Sequence, residues 1–129
     1  MRSTARETVF KFLYSQLFNP SDEGLFTVLA KELNEDDKSF AQNLIKIINE
    51  NQSKYLDKIS QLSVGYKLNR IFATDKCALL IGMAELDGYP QTPVAVVVDE
   101  SVKLAAKYST EKSTDFVNGI LAEYAREIK

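Results

Sequence analysis

The segment at residues 74–86, TDKCALLIGMAEL, is apolar on every side of a helix rather than along one face. A helix with apolar side chains in all directions has to be surrounded by other elements. At 13 residues the segment is too short to cross a bilayer, which takes about twenty residues, and charged Asp75, Lys76 and Glu85 bracket it. The pattern therefore predicts a buried central helix in a soluble all-helical domain.

The length of 129 residues fits one domain, spanning 1–129. Five Gly and three Pro leave few turn residues for a sheet protein. The single cysteine, Cys77, has no partner for a disulfide, which is typical of a reducing compartment. The apolar run from Val9 is broken by Lys11 and has no cleavable small-residue site, so we expect no signal peptide or anchor. We expect a cytoplasmic protein that does not associate with a membrane.

Several classes of catalytic site are disfavoured. The chain has no histidine, which removes the usual general base near neutral pH and the usual metal ligand. One cysteine cannot make a zinc site, and the glycines are scattered singly, so no phosphate-binding loop is present. The acidic cluster at 35–37 is better explained by favourable charge at a helix start than by a divalent ion. We expect no enzymatic activity, cofactor or metal.

The net charge of −2 is distributed unevenly. Residues 20–37 hold six acidic side chains against one lysine, a balance of −5, which leaves the rest of the chain at +3. A mildly basic face outside this segment is therefore expected.

The first half of the chain predicts three helices. Thr4 and Glu7 have the spacing of a capping box, so a first helix is expected to start there and to stop at Asn19-Pro20. A second helix is expected at 21–33. Asn34 can cap a long third helix at about 36–62, unless the polar residues 49–53 break it.

The second half predicts four more helices. A short one is expected around 66–71 before the central helix, which is expected to end at Gly88 in a left-handed C-cap. Residues 94–98 have strand-like propensity, but Thr92 as N-cap, Pro93 at N1 and a 3.6-residue apolar stripe favour a helix. A polar turn at 109–113 precedes the last helix. The sequence thus predicts about seven helices and no strand.

Four stretches, in this order and spacing, resemble the NusB family of transcription antitermination factors. They are YKLNRI at 66–71, the central helix ending in Glu85-Leu86, PVAVVVDESVKLA at 93–105 and FVNGIL at 116–121. With Ala5-Arg6-Glu7 and Leu13-Tyr14 added, the resemblance covers nearly the whole chain, and FVNGIL is its most specific part.

The resemblance implies an all-helical fold of two packed three-helix subdomains without catalytic activity. It also implies binding of boxA RNA in ribosomal RNA operon transcripts, jointly with a small-subunit ribosomal protein that acts as NusE. This pair would then join the antitermination complex on RNA polymerase. Whether the protein also forms a homodimer stays open.

The resemblance also implies functional positions in this chain. The RNA-binding positions are Arg2, Arg6, Lys76, Ser113, Phe116 and Asn118, and the partner-binding positions are Tyr14 and Asp75. Lys112 joins the RNA-binding set as a departure from the family, because it stands where an acidic residue is common and so removes a repulsion from phosphate. Arginine and lysine on phosphates plus an aromatic ring for stacking are the usual parts of a single-strand RNA site. Periodicity alone would place Phe116 in the core. Gly119 inside a helix costs about 1 kcal/mol and needs a packing or ligand reason, for which packing on the central helix would suffice.

Some positions depart from the family pattern and keep two other hypotheses open. Leu80 stands where the family commonly carries an RNA-contacting arginine, and Ser3 and Thr4 lie in a segment that usually has more arginines. The protein could therefore be a non-catalytic protein-docking module that has lost most direct RNA affinity. The same helical fold also occurs as the N-terminal part of RNA cytosine methyltransferases, although the chain, ending at Lys129, leaves no room for a cofactor domain.

Overall fold

The computed structural model describes residues 2–17, 24–63 and 71–128. Within these ranges the chain forms six α-helices and no strand. They are α1 (Arg2–Gln16), α2 (Leu25–Leu29), α3 (Glu35–Leu62), α4 (Ala73–Gly88), α5 (Val94–Tyr108) and α6 (Glu111–Glu127). The predicted all-helical class is confirmed, and the predicted short helix at 66–71 falls almost entirely outside the described residues.

The central helix is confirmed as α4. Every residue from Cys77 to Leu86 is buried, because α4 packs against α1, α3, α5 and α6. Helices α1, α2 and α3 form one group and α4, α5 and α6 the other, with α3 and α4 in contact between them. This arrangement matches two packed three-helix subdomains. None of the helices in the described part is both long and apolar enough to cross a bilayer.

Close helix packing around α4 depends on Gly82. A Cβ at this position would lie 2.6 Å from Leu121 Cδ1 and 2.7 Å from Ser101 Oγ. Real Cβ atoms do not approach other atoms so closely, so only glycine lets α5 and α6 sit this near the α4 backbone.

A polar cluster ties the C-terminal end of α4 to both neighbouring helices. The hydroxyl of Tyr55 on α3 donates to Asp87 Oδ2 at 2.6 Å, and the hydroxyl of Tyr124 on α6 donates to both oxygens of Asp87 at 2.9 Å. Burial, reinforced by the Asp87 carboxylate, raises the pKa of both tyrosines. The two hydroxyls therefore stay protonated and keep donating at neutral pH.

Helix α3 confirms the prediction for its start and length. The side chain of Asn34 accepts a hydrogen bond from the backbone N–H of Asp37 at 2.8 Å, as an N-cap does. The polar residues at 49–53 do not interrupt the helix. The side chain of Asn51 donates to the carbonyl of Ile47, one turn earlier, so its polar group is satisfied within the helix.

Three predicted helix caps are wrong, although the predicted end of the central helix at Asp87-Gly88 is confirmed. Helix α1 begins at Arg2, and Thr4 lies inside it, with its carbonyl accepting from the Thr8 hydroxyl. Gly88 is the last residue of α4 and has no left-handed backbone; its lack of a Cβ instead leaves space for the side chain of Ile47. Helix α5 is a helix, as predicted, but its N-cap is Pro93 rather than Thr92.

The second helix ends earlier than predicted. Among the described residues 24–33, the helix covers Leu25–Leu29, and none of its residues is fully buried. The predicted start at 21–23 lies outside the described residues, as does the predicted end of the first helix at Asn19-Pro20.

Candidate nucleic-acid interface

The N-terminal ends of α4 and α6 border an open pocket of about 620 Å³, which we call the α4–α6 pocket. Its lining residues are Ile71, Phe72, Asp75, Thr110, Glu111, Lys112, Ser113 and Phe116. Four of them, Asp75, Lys112, Ser113 and Phe116, were predicted from the sequence as functional residues. The structure therefore brings nearly half of the predicted site into one pocket.

The start of α6 is fixed by local hydrogen bonds. Thr110 Oγ1 accepts from the backbone N–H of Ser113 at 3.3 Å, and Ser113 Oγ accepts from the backbone N–H of Thr110 at 3.5 Å. These reciprocal bonds form a capping box. Phe116, one turn further along α6, is half-buried and lines the pocket. Because the cap fixes the first turn, it also fixes where the Phe116 ring stands.

Asp75 lies in the first turn of α4, where the helix dipole favours a negative charge. Its Oδ2 accepts a hydrogen bond from Ser113 Oγ at 2.9 Å, which links α4 to α6. Its Oδ1 is buried and has no hydrogen-bond partner among the described residues. A buried acceptor left unpaired costs about 1–3 kcal/mol, and Oδ1 lies beneath the pocket surface, where solvent does not reach it.

The outer face of α6 continues from the pocket. Lys112 and Asn118 are exposed, and Gly119 lies one turn after Phe116, on the same side of the helix. A Cβ on Gly119 would meet nothing within 4 Å. The expectation that Gly119 packs on the central helix is therefore wrong.

Lys76 follows Asp75 on α4 and is half-buried. It does not line the pocket, but its position in the first turn of α4 places its charge at the same end of the helix. Leu80, one turn later, is 6% exposed and belongs to the hydrophobic core. The Leu80 side chain therefore packs in the core of this protein, at a position where the family commonly has an arginine.

Arg2 lies at the other end of α4. Its guanidinium stands 4.5 Å from the ring centre of Phe40 and 5.2 Å from that of Tyr89, the C-cap residue of α4. Fourteen residues of helix separate Tyr89 from Asp75, so the two regions lie roughly 20 Å apart along the axis. The predicted RNA-binding residues thus form two separate groups, and an RNA that contacts both has to extend along α4.

Arg6 is buried, unlike the other predicted RNA-binding cations. Its Nε and Nη2 donate to the two oxygens of Glu85 at 2.7 and 2.6 Å, and its Nη1 lies 3.6 Å from Glu100. Burial lowers the pKa of Arg6, but the hydrogen bonds and charges of Glu85 and Glu100 outweigh it and leave the pKa raised. With 4% of its surface exposed, Arg6 holds α1 against α4 and is not available to an RNA in this conformation.

Tyr14 and Asp75, the predicted partner-binding residues, lie on different helices, α1 and α4. Tyr14 is 36% exposed on α1 and stacks with Phe10 at 6.4 Å between ring centres. Phe10 in turn stacks on Tyr108 at 4.6 Å. Tyr108 ends α5 two residues before Thr110, so this aromatic row leads from the Tyr14 surface to the edge of the α4–α6 pocket.

Sequence reasoning missed two kinds of pocket residue. Phe72 lines the pocket and is 56% exposed. Its only signal in the sequence was an aromatic residue directly before the central helix. Thr110 and Glu111 were placed in a polar turn with several possible caps, and the structure shows that Thr110 is the N-cap of α6.

The two glycines make a testable pair. Gly119→Ala should stabilise the fold by about 0.5–1 kcal/mol, because the new methyl enters open space and alanine favours helix. Gly82→Ala should destabilise it by about 1–3 kcal/mol, because the methyl collides with Leu121 and Ser101. Urea denaturation of both variants measures these two changes in the free energy of unfolding. A destabilised Gly119→Ala would show that the helix surface there is not open.

Comparison with known proteins gives one consistent family. The NusB family sequence model matches residues 3–126. The transcription antitermination protein NusB of Methylacidiphilum infernorum is 36% identical over 125 residues, which cover 93% of this chain and 87% of that protein. A crystallised NusB of T. maritima has a TM-score of 0.91 and 32% identity, covering 98% of this chain and 92% of its own.

A further related structure contains a bound complex. The crystal structure of the antitermination factors NusB and NusE with double-stranded RNA includes a chain with a TM-score of 0.85 and 27% identity. The alignment covers 98% of this chain and 96% of that chain.

Proposed function

This chain belongs to the NusB family, and from that premise we propose that it is a transcription antitermination factor. It binds boxA-type single-stranded RNA of ribosomal RNA operon transcripts together with a small-subunit ribosomal protein acting as NusE, and the pair joins the antitermination complex on RNA polymerase. The observation that carries the RNA part is the α4–α6 pocket, where half-buried Phe116 lies beside Lys112 and Ser113.

The pocket suits an unpaired base better than a duplex. A base in a duplex is stacked on both faces and paired along its edge, whereas a single-stranded base can turn outward and stack on an aromatic side chain. Lys112 and Lys76 lie near enough to the pocket along their helices to contact the adjoining phosphates. Arg2, at the far end of α4, supplies a third cation for the same strand.

We place NusE on the surface around Tyr14. Exposed Leu17, directly after the end of α1, extends this surface, so the surface combines an aromatic ring with an aliphatic side chain. Such aromatic and apolar groups are enriched in the centres of protein interfaces. Because the row from Tyr14 through Phe10 to Tyr108 ends near the pocket, a bound partner could complete the RNA site from that side and raise RNA affinity.

The proposed role is binding without catalysis, within the cytoplasm where transcripts are made. The single thiol supports a role without catalysis. Burial raises the pKa of Cys77 to about 12, so the thiol stays protonated at neutral pH. Among residues 2–17, 24–63 and 71–128, no three acidic or cysteine side chains are grouped for a metal ion.

The test is fluorescence anisotropy of a labelled boxA RNA at 50 and 200 mM salt, with and without NusE. Three cations on phosphates, Arg2, Lys76 and Lys112, predict a salt slope near −2 for a single strand, which is roughly a twentyfold loss of affinity over that range. NusE should raise the affinity. If NusE binds but RNA does not bind in either setting, the protein is a docking module that has lost its RNA site.

A further inference from the structure

We propose that Tyr89 and Phe40 form an aromatic platform that positions the Arg2 guanidinium for a backbone phosphate of the bound RNA. The inference rests on the proposed RNA-binding function, in which Arg2 is the cation at the far end of α4. It adds two positioning residues to that function, together with the side from which the strand reaches Arg2.

Arg2 is held by aromatic rings rather than by carboxylates. Its guanidinium carbon stands 4.5 Å from the ring centre of Phe40 and 5.2 Å from that of Tyr89. Within residues 2–17, 24–63 and 71–128, the guanidinium makes no ion pair or side-chain hydrogen bond. Its N–H donors lie in its own plane, so a contact through its face leaves them available. Arg2 is therefore held in place and still able to bind an anion.

Arg6, one turn later on α1, shows the opposite arrangement on the same ring. Its guanidinium carbon lies 5.5 Å from the Phe40 ring centre, but its Nε and Nη2 already donate to Glu85. Arg6 is buried, whereas Arg2 is exposed. Of the two arginines that contact Phe40, Arg2 is the one with donors left for a ligand from outside.

The platform is itself fixed by contacts from α3 and α4. The Phe40 ring is buried and meets the Tyr89 ring edge-on, with 4.9 Å between the ring centres. Asn43, one turn after Phe40, donates from Nδ2 to the Tyr89 hydroxyl at 2.9 Å. The backbone N–H of Tyr89 donates to the Glu85 carbonyl at the end of α4. A fixed ring restricts the rotamers of Arg2 before RNA binds, which lowers the entropy cost of binding.

Two surface pockets meet at Arg2, and they differ in charge. One is lined by Asp36 and Asp37 at the start of α3, which repel a phosphate. The other, of about 490 Å³, is bordered by the loop between α4 and α5, and Arg2 is the one charged residue among the described residues that line it. The loop also places Gln91 and Thr92 there, whose side chains are of the kinds that donate to phosphate oxygens. The strand therefore reaches Arg2 from the loop side.

The main test is a double-mutant cycle, measured by anisotropy of labelled boxA RNA in the presence of NusE. Arg2→Ala should reduce the salt slope from about −2 to about −1.4, because one phosphate contact is lost. Tyr89→Leu should weaken binding about two- to fivefold, the range expected for an exposed cation–π contact. In the Arg2→Ala background, Tyr89→Leu should have no further effect. Equal losses from Tyr89→Leu in both backgrounds would overturn the inference, because the ring would then act on the fold and not through Arg2.

Tyr89→Phe is the matched variant for the ring. It keeps the aromatic face and loses only the hydrogen bond from Asn43, so it should bind RNA within about twofold of the wild type. A loss as large as that of Tyr89→Leu would show that the ring face is not what positions Arg2. Thermal unfolding checks that every variant is folded.

A pair of added charges tests the side of approach. Gln91→Glu places a carboxylate in the loop pocket, and Ser39→Glu places one in the pocket lined by the aspartates. At 200 mM salt, screening confines the repulsion of a phosphate to nearby groups. Gln91→Glu should therefore weaken RNA binding about fivefold or more, and Ser39→Glu less than about twofold. The reverse order would refute the approach from the loop.

The outcomes separate this inference from the proposed function. Salt-sensitive RNA binding that Arg2→Ala leaves unchanged would refute the inference alone, because Arg2 would then not contact the RNA. Failure of the wild-type protein to bind boxA RNA, with or without NusE, would overturn the proposed function and the inference together.

Discussion

Replacing Arg6 by alanine should destabilise the protein by about 3–5 kcal/mol, because it leaves the buried Glu85 carboxylate without its partner. Glu85 is 1% exposed and accepts two hydrogen bonds from Arg6, which joins α1 to the central helix. Glu100 would lose a nearby cation as well. The measurement is the free energy of unfolding from urea denaturation followed by circular dichroism.

The chain contains a matched control for this substitution. Arg126 and Glu123 form an ion pair with the same 2.6 Å separation, but the Arg126 side chain is 77% exposed. Arg126→Ala should therefore cost no more than about 0.5 kcal/mol. The double variant Arg6→Met, Glu85→Met should recover much of the loss, since no charge is left buried. Equal small costs for Arg6→Ala and Arg126→Ala would refute a structural role for the buried pair.

Phe116→Ala should weaken binding of boxA RNA about ten- to hundredfold, because stacking of one base on an aromatic ring is worth about 1–3 kcal/mol. The residual affinity should keep its salt dependence, since the cations remain. Anisotropy titrations in the presence of NusE measure the loss under the conditions where binding is tightest.

Phe12→Ala is the control for Phe116→Ala. Phe12 is also a half-buried phenylalanine, but it lies on α1 and packs edge-on against Phe26 of α2. Both variants remove the same side chain from a partly buried position, so they differ mainly in location. If both variants bind RNA equally, Phe116 serves only to pack α6, and the pocket does not hold a base.

The elements that the sequence predicted well are those with a strong repetitive pattern. Residues 74–86 lack a polar face, and no arrangement except a surrounded helix buries all of them. The stripe of apolar residues in 94–108 outweighed the strand propensity of its valines because it persists for four turns. Asn34 was identified as a cap because its short amide side chain can reach the third helical amide.

The elements that it did not predict depend on contacts between distant parts of the chain. Arg6 and Glu85 are 79 residues apart, and nothing in the local sequence distinguishes this arginine from exposed Arg2. The unpaired oxygen of Asp75 likewise arises only when α6 is packed against α4. For the same reason, the sequence could not show that Arg2 and Phe116 lie at opposite ends of the central helix.

The most direct test of the central claim is to map the RNA on the protein by ¹⁵N NMR during titration with boxA RNA. A chain of 14.5 kDa suits this method. The account predicts that the largest amide shifts occur at 112–119 on α6 and in the first turn of α4, with a second group near Arg2. Shifts confined to α2 and the outer face of α3, with 112–119 unchanged, would contradict the assignment of the RNA to the α4–α6 pocket.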